Sequence, residues 1–206
     1  KVPRNPVLRT SPEQFESLAQ QGNQVPVVRE VMADLETPLS LFRKIDDGRT
    51  AFLLESVQGG EKWGRYSIIG LPAQTVIKIF GLRVEIHRNN QPIECIEVAD
   101  PLQWIDDFQA TFKVPDMDEL PRFNGGLVGY FGYETIRYIE PKLAGVAKTD
   151  PIGTPDILLM VSDEVIVFDN LRGELHLIVL AGNDNYAAAV QRLDVLEQQL
   201  QHAQSQ

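Results

Sequence analysis

Two β-rich runs that meet at a tight turn constrain this chain most. Thr75–Phe80 and Leu82–His87 flank Gly81, and Asn89-Asn90 then turns the chain into Ile93–Val98. Further along, Glu164–Asp169 and Glu174–Leu180 flank Asn170-Leu171-Arg172-Gly173. Short connectors between β-branched runs specify hairpins. Hairpins pair antiparallel, whereas parallel strands need a crossover of a dozen residues or more. Val25–Met32, Ala51–Ser56, Tyr66–Leu71, Gly125–Tyr133 and Asp156–Met160 read as further strands, the one at Ala51–Ser56 as buried.

Helices punctuate this pattern. Ser11-Pro12 and Thr37-Pro38 are cap-then-proline signals, with Gln14 placed to complete a capping box. Gly22 and Asp46-Asp47-Gly48 are the expected stops. Asp100-Pro101 caps a third helix with Leu102, Ile105, Phe108 and Phe112 at helical spacing. A fourth starts at Asn183-Asp184, with Tyr186, Val190, Leu193, Leu196 and Leu200 on one face. About nine strands and four helices, without strict alternation, give an α+β fold of mostly antiparallel sheet. With no repeat and no low-complexity linker, residues 1–206 read as one domain.

Composition narrows the partners. Nineteen Lys and Arg against 29 Asp and Glu leave a net charge of −10. Such a surface disfavours nucleic acid, whose phosphates need clustered cations, and anionic membranes. No apolar run approaches the roughly 20 residues of a span. The one cysteine, Cys95, cannot form an intrachain disulfide or a Cys-based zinc site, so the expected location is cytoplasmic. The first residue is not Met, as expected of a processed or excised chain.

The search for chemistry returns mostly absences. His87, His176 and His202 have no partner at metal-ligand spacing. Gly125-Gly126-Leu127-Val128-Gly129 lacks the Gly-Lys-Ser/Thr ending of a phosphate loop, so it reads as close backbone packing. Asp46-Asp47 and Asp106-Asp107 are adjacent pairs that do not face each other on a helix. No Ser or Cys sits in a nucleophile motif.

Two segments remain. "FLLESVQGGEKWGRYSIIG" at 52–70 and "GGLVGYFGYETIRYIE" at 125–140 resemble the N-terminal part of anthranilate synthase component I, of the chorismate-utilising enzymes. The resemblance runs from about Pro26 to Leu180. It implies a parent enzyme that converts chorismate and an ammonia equivalent to anthranilate and pyruvate, with Mg²⁺ at the substrate and a glutamine amidotransferase as partner. The family's catalytic motifs belong to a C-terminal region that this chain, ending at Gln206, is expected to lack. The chain alone is therefore expected to be inactive and to carry no cofactor. Without that region, an apolar surface and sheet edges should stand exposed, and the chain should self-associate or bind its own C-terminal catalytic region in trans.

The family uses "LLES" in feedback inhibition by tryptophan. The resemblance then assigns Leu54, Glu55, Ser56, Arg65, Tyr66 and Ser67 to part of a tryptophan site. A carboxylate would meet the ammonium, a cation or hydroxyl the carboxylate, and leucine the indole. Read without the resemblance, Glu55 and Arg65 are a simple cross-strand ion pair. Two other roles remain open: a domain that docks the amidotransferase subunit, or the equivalent region of an aminodeoxychorismate or phenazine-pathway synthase.

Overall fold

A computed structural model describes residues 6–33, 36–55, 64–117, 120–143, 150 and 152–202. The chain divides into two compact units. One comprises 1–72, 112–125 and 162–206, and the other 73–111 and 126–161.

The first unit is built on a six-stranded sheet. Its strands are β1 (Val7–Leu8), β2 (Val25–Met32), β3 (Phe52–Leu54), β4 (Tyr66–Gly70), β10 (Glu164–Asp169) and β11 (Glu174–Ala181), in the order β1-β2-β11-β10-β4-β3. Every pairing within it is antiparallel. Three helices supply its first core: α1 (Pro12–Ala19), α2 (Pro38–Ile45) and α5 (Tyr186–His202). Phe15, Leu41, Leu193 and Leu196 pack with Ile69, Ile166, Leu175 and Leu177. Alternation sends Val28, Val165, Val167 and Ile178 into a second cluster, with Tyr66, Leu120 and Phe123. The sheet is thus apolar on both faces, which is why β2, β10 and β11 read as nearly unbroken apolar runs.

Both N-caps hold, but the capping box expected of Gln14 does not form: Ser11 accepts from the Gln14 amide and donates its hydroxyl to Glu13, whereas Thr37 and Ser40 form a reciprocal box. The first helix nevertheless ends at Ala19. Gly22 donates its amide to the Leu18 carbonyl at that end, 3.2 Å away, and it also meets a close approach: a Cβ there would lie 2.2 Å from the Lys113 carbonyl oxygen. Arg29, 8% exposed, crosses from β2 to α5 and binds Asp194 at 2.7 Å and Glu197 at 2.9 Å.

The second unit carries β5 (Thr75–Phe80), β6 (Arg83–Arg88), β7 (Gln91–Glu97), β8 (Gly126–Phe131) and β9 (Ile157–Ser162), ordered β7-β6-β5-β9-β8. Asn89 and Asn90 both take positive φ, 48° and 64°. That is the left-handed pair a two-residue hairpin turn requires. The helix α3 (Pro101–Ala110) is capped by Asp100, and it packs Ile105 and Leu102 onto Ile77, Ile79, Ile157 and Leu159. After β8, a 3₁₀ turn (Tyr133–Thr135) leads into a single helical turn, α4 (Ile136–Ile139).

The glycine-rich segment packs as its sequence predicts. A Cβ on Gly129 would lie 1.8 Å from the Leu158 carbonyl oxygen. Gly129→Ala is expected to destabilise the second unit by about 1–3 kcal/mol, the usual range for overpacking. Urea unfolding followed by tryptophan fluorescence measures this, since Trp104 packs into that unit's core. An alanine variant as stable as the parent would mean that β8 moves off β9 at no cost.

Candidate ligand-binding site

The strand that carries the "LLES" motif is an edge, not a buried element. β3 has three residues and, among the described residues, pairs with β4 alone. Alternation divides those residues between faces. Leu53 packs into the helix-covered core beside Ile69, its register partner. Phe52 points the other way, edge-on to Phe123 with ring centroids 6.5 Å apart. It lies across Gly70, where a Cβ would stand 1.9 Å from its ring. Leu54 shares the Phe52 face and is 52% exposed. Glu55 follows, also exposed, and has no ion-pair partner among the described residues.

β4 supplies the other half. Leu54 lies opposite Ile68, and Tyr66 lies opposite Asp169 on β10. Opposite residues share a face, so Leu54, Tyr66 and Asp169 all belong to the face away from the helices. Arg65 folds back over the Tyr66 ring, 4.8 Å from its centroid. Cations favour that position over an aromatic face. Ser67 is turned to the helix-covered side. It is 2% exposed, and its hydroxyl lies 3.2 Å from the Asn170 side-chain amide, which donates to it. Leu54, Arg65 and Tyr66 are therefore brought to one rim, Ser67 is not, and Ser56 lies outside the described residues.

Arg65 also departs from the simple ion-pair reading. Its partner is Asp169 rather than Glu55, with Nε at 3.0 Å and Nη2 at 2.7 Å from Oδ2. The other carboxylate oxygen, Oδ1, accepts from the backbone amides of Leu171 and Arg172, at 3.0 and 3.1 Å. Asp169 thus closes the β10–β11 turn and holds Arg65 at once. Burial pushes its carboxyl up. The Arg65 guanidinium and the two amides outweigh that and hold it below the usual carboxylate range. Only Nε and Nη2 face Asp169, so the Nη1 side of the guanidinium makes no hydrogen bond to a described residue. An arginine has five N–H donors, and a ligand carboxylate could take those that remain.

Asp169 was not legible as the partner of Arg65. It closes an apolar strand ahead of an Asn-Leu-Arg-Gly turn, and an Asp there commonly caps its own turn. That much could be read from sequence. Its pairing with Arg65, 104 residues earlier, depends on the register of β4 against β10.

Among the described residues no group of three or more His, Cys, Asp and Glu could hold a metal ion. No described helix is long and apolar enough to cross a membrane. His176 is buried beside Glu30, with 3.8 Å between Nδ1 and Oε1.

Comparison with known proteins agrees with these motifs. Anthranilate synthase component 1 of Pseudomonas aeruginosa is 54% identical over 170 residues, 82% of this chain and 35% of that protein. The Neisseria gonorrhoeae protein of that name is 46% identical over 200 residues, 94% of this chain and 40% of that protein. The crystal structure of anthranilate synthase component I from Streptococcus pneumoniae has a TM-score of 0.53 at 26% identity. It covers 83% of this chain and 36% of that one. No family model matches. The chain spans between a third and two fifths of the length of these relatives. Over that span, in sequence and in fold, it belongs to the anthranilate synthase component 1 family.

Proposed function

We propose that this chain is the regulatory, non-catalytic N-terminal part of an anthranilate synthase component 1 and carries part of its tryptophan feedback site. The parent enzyme would convert chorismate and ammonia to anthranilate and pyruvate, in tryptophan biosynthesis in the cytoplasm. Mg²⁺ would be held by the part of that enzyme outside this chain, and a glutamine amidotransferase subunit would deliver the ammonia. The observation that carries the reading is the rim formed by Leu54, Arg65 and Tyr66 at the end of the "LLES" strand.

The chemistry of that rim suits a zwitterionic aromatic amino acid. Leu54 offers exposed apolar area to an indole. The Arg65 guanidinium offers donors to a carboxylate, and Glu55 a charge to an ammonium. Asp169 fixes Arg65 in advance, so less side-chain freedom is lost on binding. The remaining wall of the pocket would come from outside this chain.

Two measurements test this. The chain alone, given chorismate, ammonia and Mg²⁺, is expected to form no anthranilate. A chimera in which this chain replaces the matched stretch of the Pseudomonas aeruginosa relative is expected to form anthranilate and to be inhibited by tryptophan. An active chimera that ignores tryptophan would overturn the regulatory assignment. It would favour the alternative of a domain that serves only to dock the amidotransferase.

A further inference from the structure

On the sheet face that carries Val28 and Ile178, His176 on β11 lies opposite Glu30 on β2. His176 is 7% exposed. Its Nδ1 stands 3.8 Å from Glu30 Oε1, beyond hydrogen-bonding reach, and its ring bonds no described residue. Glu30 spends its other oxygen, Oε2, on Arg9 Nη2 at 2.5 Å. A buried imidazole and a carboxylate oxygen thus face each other without a hydrogen bond from a described residue. Buried polar groups are rarely left so.

His176 and Glu30 line a cavity of about 160 Å³, together with Arg9, Gln14, Val28, Met117 and Leu120. All of these residues belong to the first unit. At about 30 Å³ per water the space is worth roughly five waters. That is well under the ~300 Å³ at which drug-sized sites begin. One part of the lining is charged or polar, and Val28, Met117 and Leu120 make the rest apolar.

We infer that this cavity binds a small aliphatic α-amino acid, of alanine's size, with its ammonium between Glu30 and His176 and its carboxylate beside Arg9. A nitrogen about 2.9 Å from both Oε1 and Nδ1 fits across the 3.8 Å gap, and an ammonium has donors for both. His176 accepts only as the neutral ring, with its proton on Nε2. Burial favours that form. It lowers the basicity of the ring more than Glu30, Asp169 and Glu174 restore it, and Arg9 lowers it further. Arg9 brings the positive charge that suits a carboxylate. The apolar lining leaves room for a methyl group and none for an indole. β10 separates this cavity from the rim on β4 and β3, and the inference does not rest on the proposed function.

Titrating L-alanine into this chain, followed by the histidine ring resonances, tests it. The His176 signals, identified by their loss in His176→Asn, are expected to move with a Kd on the order of 1 mM, while those of His87 stay still. Read from the alanine methyl signal, Glu30→Gln and His176→Leu should each weaken binding by roughly tenfold or more. His176→Asn, whose side-chain oxygen stands in for Nδ1, should keep most of it. Arg9→Gln should weaken L-alanine and leave the weaker binding of methylammonium unchanged. It serves if Glu30→Gln does not fold, because the Arg9 side chain is 50% exposed. Binding should also fade as pH drops through the folded pKa of His176, which lies below the ordinary 6.5. Still His176 signals with both L-alanine and methylammonium mean that the cavity holds water alone, and overturn the inference. Methylammonium that binds as tightly as L-alanine overturns the amino-acid assignment, and so does L-tryptophan that moves His176. Alanine binding by this chain that the Pseudomonas aeruginosa chimera lacks overturns it as a site of the enzyme. Alanine binding that persists in a chimera insensitive to tryptophan supports the site while the proposed function fails.

Discussion

Replacing Asp169 with alanine is expected to destabilise the first unit by about 2–4 kcal/mol, because the change strips four charge-assisted bonds from three residues at once. Asp169 is 1% exposed and serves Arg65, Leu171 and Arg172. The loss is set below that of a fully buried pair because the Arg65 side chain is 31% exposed and partly solvated. For a chain of this size the melting temperature should fall by on the order of 10 °C. Asp169→Asn keeps an oxygen for the turn amides and loses the charge, so it should fall between parent and alanine. Circular dichroism melts of the three proteins measure the series. An alanine variant that melts with the parent would show that Asp169 contributes little.

The same residue gives the pH dependence its sign. Its folded carboxyl lies below the unfolded value of about 3.9. The stabilisation is therefore fully present above that value, and it disappears as pH falls through the lower folded value. The gap between parent and Asp169→Ala should be constant near neutrality and close below about pH 4. His176 acts in a higher window. Burial lowers its basicity more than Glu30, Asp169 and Glu174 restore it. Its stabilising contribution, present above about pH 6.5, should be lost as the pH drops through its lower folded value.

Ser56→Ala in the intact enzyme is expected to weaken tryptophan inhibition by roughly ten- to a hundredfold, the range for losing one hydrogen bond to a charged group. Anthranilate formation without tryptophan should hardly change if, as proposed, the catalytic groups lie outside this chain. Inhibition would then be a coupling between separate sites, carried by two arrangements of the enzyme. Arg65→Ala should weaken inhibition too, and it should also lower the melting temperature, since Arg65 is bonded to Asp169. The two effects separate through Asp169→Asn, which loosens Arg65 while leaving the guanidinium in place. If Arg65 meets the ligand, Asp169→Asn should retain most of the inhibition that Arg65→Ala loses. Unchanged inhibition constants in both Ser56→Ala and Arg65→Ala would remove these residues from the tryptophan site.

Local chemistry determined much of this protein from sequence alone. Ser11, Thr37 and Asp100 cap helices because their side chains reach amides two or three residues away, a relation that needs no tertiary context. Asn89-Asn90 makes its turn because asparagine tolerates the left-handed backbone a two-residue hairpin needs, again without tertiary context, and the β-branched runs of β2, β10 and β11 read as strands. The stretches at 52–70 and 125–140 carry the resemblance to the family, which the comparisons show. Tertiary structure decided what depends on neighbours distant in sequence. Ala51–Ser56 reads as a buried strand because it is apolar, but burial depends on which strands flank it, and among the described residues β3 has a neighbour on one side only. The resemblance groups Ser67 with Arg65 and Tyr66, whereas alternation in a strand sends adjacent side chains to opposite faces. Glu55 was the nearest candidate for Arg65 along the motif. The register of β4 on β10 instead places Asp169 opposite Tyr66, within reach of the guanidinium, and register is set by the whole sheet rather than by either strand.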